Sequence, residues 1–372
     1  DAILKNSFFE INQYLSHITK IENGDIKKAF ADSDHVLSGE LTTAMQYHFY
    51  METQACVAMP QENDSVKLVA SSQFNTGTRQ TVATALNLPS NKVVVECKRG
   101  GGGFGGKLSR QFPITCAAAV AARLLNRNVR IQQSRNADMT MAGKRHPHLG
   151  LFEVAFNKDG TITGLYTKFY SNGGGAYDGT FGCMDMCLLW SDNTYFIPNF
   201  KVEGYCARTN LPPNTAMRSP GVVNSCWMME SIVEQIAATL NVDPNLIRAK
   251  NFYQDGQLTP YLMPMQYVTI SRVWELLLKQ VNYTKQQQDV QAFNSANRWR
   301  KRGVHMTPIK YGQGLNGFRE GCLLNIDQED GTVTLTTSGS EVGQGLNTKV
   351  AQAVAMALGI PIDLIVFTTN AT

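Results

Sequence analysis

The stretch from Arg99 to Arg110, RGGGGFGGKLSR, carries the strongest chemical signal in the chain, with six glycines in the seven positions from Gly100 to Gly106. Glycines let the backbone approach a ligand closely and turn its N–H groups inward, and a helix end behind them favours negative charge. That chemistry suits a cofactor bearing phosphate. Three polar side chains could join it. Gln73 stands at a strand-to-helix crossing, where a neutral carboxamide can donate to a ligand oxygen; a loop glutamine bonded to backbone is the alternative. Arg218 precedes a long helix, a place for a bidentate grip on phosphate or carboxylate, or for a structural salt bridge. Gln344 lies in a second glycine loop, Ser338 to Gly345.

Taken alone, the first loop is ambiguous. Gly101 to Lys107 has the GxxxxGK spacing of a nucleoside-triphosphate loop, but Leu108 follows where a magnesium-binding Ser or Thr is required. Gly101, Gly103 and Gly106 also satisfy GxGxxG, yet the chain has no HRD or DFG triplet and no acidic residue at the distance that would read a ribose. A tight turn with close helix packing is the remaining reading of these residues by themselves.

The elements that must position these groups follow from periodicity. Lys92 to Glu96 predicts a strand before the glycines, and the alanine-rich run Thr115 to Leu125 predicts a helix after them. Upstream, residues 1–22 carry a short helical pattern (Ala2, Ile3, Phe8, Phe9, Ile11), and Asp25 can cap a helix from Ile26 to Ala31. Strands are predicted over Val36–Leu41, Phe49–Met59 and Val66–Ser71, with a helix over Thr78–Leu86. Beyond the glycine loop, Val129–Gln133 predicts a strand, and Leu151–Phe156 pairs with Ile162–Tyr170 across Lys158-Asp159-Gly160. Ser171 to Gly175 is expected to be mobile backbone. Helices are predicted over Val222–Leu240 and Asn245–Tyr253, the second capped by Asp243-Pro244. A helical run from Val273 to Trp299, a hairpin of Leu323–Ile326 with Val333–Thr337, and a helix over Asn347–Leu358 complete the reading. Strand, glycine loop and helix thus occur twice, and one bulky ligand held between them would account for both.

Composition bounds the rest. The chain has 372 residues, 43% of them hydrophobic and 17% charged, which predicts a globular protein of two or three domains. A net charge of +4 and a single short basic cluster, Arg298 to Arg302, give no nucleic-acid face. None of the eight cysteines forms a CxxC pair, so neither a zinc ribbon nor an iron–sulfur ligand set is expected within these residues. Scattered thiols, no signal peptide and no apolar run of about 18 residues predict a cytoplasmic protein that does not enter a membrane. His146 and His148 flank Pro147; surface or turn positions are expected rather than a metal pair. The first residue is Asp1 and the last follow a strand-like run, Leu364 to Phe367, so a segment of a longer protein is expected.

Four motifs, GGGFGGK at 101–107, MAGKRHPHLG at 141–150, TNLPPNTAMRSPG at 209–221 and GSEVGQGLNTK at 339–349, together resemble the molybdenum hydroxylases, the xanthine dehydrogenase and aldehyde oxidase family. The resemblance implies an α+β fold of mixed sheets with packed helices. It divides the chain into 1–22, the end of a preceding domain or a linker; 23–265, a first molybdopterin-binding domain; and 266–372, the start of a second. It carries Gly102, Gly103, Phe104, Arg218, Val342, Gly343 and Gln344 into contact with a molybdenum–molybdopterin cofactor, Val342 standing where Met is usual. Gln73, Phe104 and Arg218 are placed near the metal, and Gln73 matches the glutamine that hydrogen-bonds an oxo ligand on it. The implied chemistry is hydroxylation of a C–H next to oxygen or nitrogen, with electrons leaving through 2Fe-2S clusters and FAD outside this chain. The glutamate base belongs to a later, GEPP-like motif beyond Thr372, so the chain alone is expected to be inactive. A homodimer is implied for the full-length protein.

Substrate choice is read from departures. Enzymes for xanthine place a Glu after GGGFGGK, where this chain has Leu108, and an Arg at the position of Met186; Pro220 stands where Phe is usual. Apolar replacements cost a purine its partners, on the order of several kcal/mol, and cost an aldehyde nothing. The expectation is an aldehyde or heterocycle as the small-molecule substrate. A purine enzyme with different contacts and a family member without catalysis are the alternatives.

Overall fold

Alternation of buried and exposed side chains decides where the strands lie, and glycine and asparagine in left-handed conformations decide where helices stop. In the computed structural model, which describes residues 1–10, 17–312, 321–368 and 371–372, the chain opens with β1 (Lys20–Asn23), turns at Gly24 and enters α1 (Ile26–Asp32). The Asp25 carboxylate caps α1, accepting from the Lys28 N–H at 3.0 Å. There follow β2 (His35–Thr43), β3 (Ala55–Gln61), β4 (Ser65–Ala70), α2 (Asn75–Leu86), β5 (Val93–Glu96), α3 (Phe112–Leu125), β6 (Val129–Gln132) and α4 (Arg135–Met141). Next come β7 (His148–Phe156), β8 (Ile162–Gly174), α5 (Thr180–Leu189), β9 (Asn199–Arg208), α6 (Val222–Leu240) and α7 (Pro244–Asn251). The last elements are α8 (Ile270–Gln280), α9 (Tyr283–Ala296), β10 (Cys322–Ile326), β11 (Val333–Thr337), α10 (Leu346–Leu358) and β12 (Ile365–Phe367).

These elements form three mixed sheets with packed helices, in the orders β1-β9-β8-β7-β2, β5-β4-β3-β6 and β10-β11-β12. The large sheet covers α5 and α6 through Phe152, Val154, Phe169, Met184, Phe200, Met229 and Ile232. The four-stranded sheet holds a smaller core of Leu68, Val82, Val95, Ala118 and Ala122 against α2 and α3. Small alanines on α3 let that helix lie close to β3. Trp274, Tyr283 and Met306 also enter the large core, so α8, α9 and the irregular residues after them pack on the first lobe. Among the described residues no helix is long and apolar enough to cross a membrane.

Several expectations from sequence change here. Residues 1–10 form turns and an isolated bridge from Phe8 to Ala207, and the helical pattern expected over residues 1–22 gives way to β1, which pairs with β9; Ile11 lies outside the described residues. The strand expected from Phe49 begins only at Ala55, because Tyr50 and Gln54 are drawn into a buried polar network. The run from Val273 to Trp299 breaks at Asn282, which adopts a left-handed φ of 48° between α8 and α9. Ser171 to Gly174, expected to be mobile, is the paired end of β8, with a register shift beside β9. The helices α4 and α5 and the strand β9 are absent from the sequence reading.

His146 and His148 are buried, not at the surface. Burial pulls their pKa values down to about 3 and about 4, so both are neutral in the fold. Unfolding returns them to the ordinary range near 6.5. Between those limits the unfolded chain binds more protons, so stability falls as pH drops from about 6.5 towards 4. The thermal midpoint of the protein carrying this chain is expected to fall on acidification from pH 7 to pH 5, and His148→Gln to flatten that slope. Parallel profiles for wild type and variant would refute the assignment.

Candidate functional site

The glycine loop is fixed from below by three sets of side chains. First, Gln73 Oε1 accepts the N–H groups of Gly105 (3.0 Å) and Lys107 (3.2 Å), while its own backbone N–H donates to the Lys107 carbonyl at 2.9 Å. Two donors aimed at one terminal atom identify it as the amide oxygen. The Gln73 Nε2 is therefore turned the other way, and it has no protein partner among the described residues. Gly103 lies under this carboxamide so tightly that a Cβ there would stand 2.4 Å from Gln73 Oε1.

Second, Glu52 holds the start of the loop. Its carboxylate accepts the Gly101 N–H at 2.8 Å and the Lys107 ammonium at 2.7 Å, and its N–H donates to the Gly101 carbonyl at 3.1 Å. The Lys107 side chain is fully buried, its ammonium 4.7 Å above the Tyr50 ring, and burial lowers its pKa. The lysine of the GxxxxGK spacing thus points into the protein rather than towards a phosphate. Third, Asp138, wholly buried on α4, accepts from Tyr50 Oη (2.7 Å), Tyr47 Oη (3.1 Å) and the Gln54 N–H (2.8 Å). Gln54 Nε2 then donates to the Gly106 carbonyl at 3.2 Å. Neither Asp138 nor Glu52 was singled out by motif.

The loop carrying Arg218 packs on top of this platform. The Arg218 N–H donates to the Phe104 carbonyl at 2.8 Å, and a Cβ at Gly105, whose φ is 98°, would meet the Ala216 carbonyl at 2.4 Å. The Arg218 side chain is exposed and makes no ion pair among the described residues, so the structural salt bridge is not found. Ser219 takes a left-handed φ of 56°, and Pro220 leads through Gly221 into α6.

The second glycine loop meets the first. The Gly100 N–H donates to the Glu341 carbonyl at 2.8 Å, and Val342 packs against Gly100. The anion-favouring end of α10 is filled by the chain itself: the Glu341 carboxylate accepts from Gly343 (2.8 Å), Gly345 (3.2 Å) and Asn347 (3.1 Å). Partial burial opposes the charge, but those N–H bonds outweigh it and hold the carboxyl below its usual range. Gln344 is bonded within its own loop, donating to the Ser340 carbonyl and accepting from the Val342 N–H. The open part of this loop is the Gly343 and Gly345 backbone, where an added Cβ would meet nothing within 4 Å. At the other loop, α3 begins only at Phe112, so its end does not open directly onto the glycines.

Leu108, Met186 and Pro220 come from three segments whose neighbours are tied together. Arg110 forms an ion pair with Asp178, just before α5, at 2.7 Å, and Ser109 Oγ donates to the same carboxylate at 2.7 Å. Gly221 fits so closely on α5 that a Cβ would stand 2.0 Å from the Cys183 carbonyl and 2.7 Å from the Cys187 nitrogen. His146 and His148 do not converge as a metal pair: His146 Nε2 faces Thr180 Oγ1, and His148 Nδ1 faces the His146 carbonyl.

A family model described as "Molybdopterin cofactor-binding domain" matches residues 9–252, and a second model of the same description matches residues 276–372. The chain is 39% identical over 374 residues to the xanthine dehydrogenase/oxidase of Gallus gallus, covering 98% of this chain and 27% of that protein. It is 37% identical over 377 residues to the xanthine dehydrogenase of Dictyostelium discoideum, covering 100% of this chain and again 27% of the relative. The chain therefore spans about a quarter of the length of these relatives. Among solved structures, the aldehyde oxidoreductase from Desulfovibrio desulfuricans superposes with a TM-score of 0.85 at 22% identity, over 98% of this chain and 40% of that one. Quinoline 2-oxidoreductase from Pseudomonas putida gives 0.82 at 22% identity, over 98% and 48%. These superpositions establish the shared fold.

Gly103→Ala tests the platform. Its backbone needs no left-handed φ, so the added methyl acts by pushing the Gln73 carboxamide aside. The expected outcome is a loss of function of about tenfold or more with a change in thermal midpoint of only a few degrees. An active Gly103→Ala protein would show that the carboxamide's position is immaterial.

Proposed function

Because the chain belongs to the molybdopterin cofactor-binding domain family, we propose that it forms the cofactor-holding part of an oxidoreductase that hydroxylates aldehydes or N-heterocycles with oxygen from water. One observation carries the reading. A carboxamide whose donor face has no partner among the described residues, the loop of an exposed guanidinium that makes no ion pair among them, and a second glycine loop are all bonded to the first glycine loop. These groups suit a large anion rich in acceptor oxygens, and the molybdenum–molybdopterin cofactor is such a group.

In this proposal Gly102, Gly103, Phe104, Val342 and Gly343 line the cofactor's seat, and Gln344 shapes its own loop beside it. Arg218 would oppose its charge, and the Gln73 Nε2 would be available to donate to one of its oxygens. When bound, the cofactor supplies the electron sink and the polarised oxygen that C–H hydroxylation requires. The residues of this chain orient it, and the buried network beneath prevents the donors from relaxing once it is seated. Residues 23–265 and 266–372 are taken as the two units that hold it, with residues 1–22 leading into the first. In this reading the general base would be a glutamate beyond Thr372, and 2Fe-2S clusters and FAD held elsewhere in a homodimeric, cytoplasmic protein would receive the electrons.

For the substrate, Leu108, Met186 and Pro220 offer apolar walls with no charged partner for a purine. A second reading, a purine dehydrogenase with other contacts, is favoured by the names of the relatives at 37–39% identity. Kinetics of the whole enzyme separate the two: kcat/KM is expected to be higher for an aromatic aldehyde than for xanthine. Leu108→Glu combined with Met186→Arg is expected to move that ratio about tenfold or more towards xanthine. A parent enzyme preferring xanthine would overturn the aldehyde reading.

The separate roles of cofactor and base give another test. The 372-residue chain by itself is expected to show no turnover of benzaldehyde, and Gln73→Glu in the whole enzyme, which keeps the oxygen that holds the Gly105 and Lys107 N–H groups and removes only the Nε2 donor, to lower kcat by about tenfold to a hundredfold while molybdenum content stays near wild type. Turnover by the isolated chain would refute the placement of the base.

A further inference from the structure

We propose that Arg145 is the positioning residue that presents Arg218 to the bound anion; the inference rests on reading Arg218 as a cofactor contact. The Arg145 side chain is buried, and its guanidinium gathers three successive carbonyls of the Arg218 loop. Nη1 donates to Met217 and Ser219, both at 3.1 Å, and Nη2 donates to Arg218 at 2.7 Å. The other edge is fixed to Gln46, whose side-chain oxygen accepts from Nε at 2.9 Å and whose carbonyl accepts the Arg145 N–H at 2.9 Å.

Three adjacent carbonyls cannot converge on one point in a helix or a strand. Here they do, and the left-handed φ of 56° at Ser219 is the backbone consequence. With its carbonyl drawn inward, Arg218 sends its N–H to Phe104 and its side chain out to solvent. Arg145 therefore sets the direction in which the exposed guanidinium points. It also makes no ion pair with a carboxylate among the described residues, which leaves its charge uncompensated beneath the site and favourable to an anion above. A planar fork of five donors can serve four acceptors on two sides at once. A lysine ammonium, with three donors at one point, cannot.

The experiment uses the full-length protein and two readouts. In Arg145→Lys the Arg218 amide is expected to exchange with deuterium about tenfold faster or more, the size expected for losing one hydrogen bond to a charged group, while the Gly106 amide, bonded to the Gly103 carbonyl, keeps its rate. Molybdenum loss on dialysis against chelator is expected to quicken in Arg145→Lys and in Arg218→Ala, and the double variant to lose metal no faster than Arg218→Ala alone. Unchanged exchange at Arg218, or additive losses in the double variant, overturns the proposal. Faster exchange with unchanged metal retention instead overturns the role of Arg218 on which it rests. Should Arg145→Lys fail to accumulate, Gln46→Leu removes only the outer anchor from an exposed position and is expected to move both readouts about threefold in the same direction; no movement there refutes the clamp.

Discussion

Everything at the candidate site depends on two N–H groups of the glycine loop meeting one oxygen of Gln73. A glycine-rich backbone is inherently mobile, and its conformational entropy must be offset before it can act as a preformed surface. The carboxamide does this locally, and the buried groups do it at depth. Asp138 fixes Tyr50 and Gln54, Gln54 fixes Gly106, and Glu52 fixes Gly101 and Lys107. Asp138, Tyr50, Gln54 and Lys107 in that chain are buried, and Glu52 is partly exposed. Removing any one of them exposes the next to an unpaired donor or acceptor, at a cost of about 1–3 kcal/mol.

The electrostatics of the two loops are divided rather than duplicated. At α10 the helix end is neutralised internally by Glu341, so that loop offers shape and backbone rather than net positive charge. Arg218 and the uncompensated Arg145 lie beneath and beside the other loop. An anionic ligand spanning both would meet its strongest attraction on the Arg218 side and its closest backbone approach at Gly343 and Gly345. Of the two helix ends expected to grip one ligand, that of α10 is filled by Glu341 and that of α3 begins only at Phe112, away from the glycines.

How much of this was legible depends on how far each residue reaches. The helix α6 was read to its limits, because Gly221 starts it and Asn241, in the left-handed conformation, ends it. Both signals are local. The strand β9 was missed although its burial alternates, since Gly204 and the charged pair Lys201 and Glu203 mask a strand whose parallel partner β8 is remote in sequence. The helix α5 is apolar nearly all round, as a buried helix must be, and so shows no face. Phe49 to Gln54 has the composition of a strand, but Tyr50 and Gln54 answer to Asp138, 88 and 84 residues away.

The same reasoning explains why the motif residues and the residues that hold them fall into different classes. Gly103, Phe104, Arg218 and Gln344 sit in runs whose spacing can be recognised, because each run forms one short loop. Arg145 lies in a motif as well, yet nothing around it in the sequence reveals that its partners are Gln46 and the carbonyls of Met217, Arg218 and Ser219. Its burial without a carboxylate is intelligible only once those carbonyls converge. A buried arginine facing carbonyl oxygens keeps its charge at the expense of desolvation, which lowers its pKa, and the fold tolerates this because the guanidinium satisfies three carbonyls that would otherwise be left facing one another. The left-handed Ser219 and the buried cation are therefore a single feature, each requiring the other, and the direction of Arg218 follows from the pair.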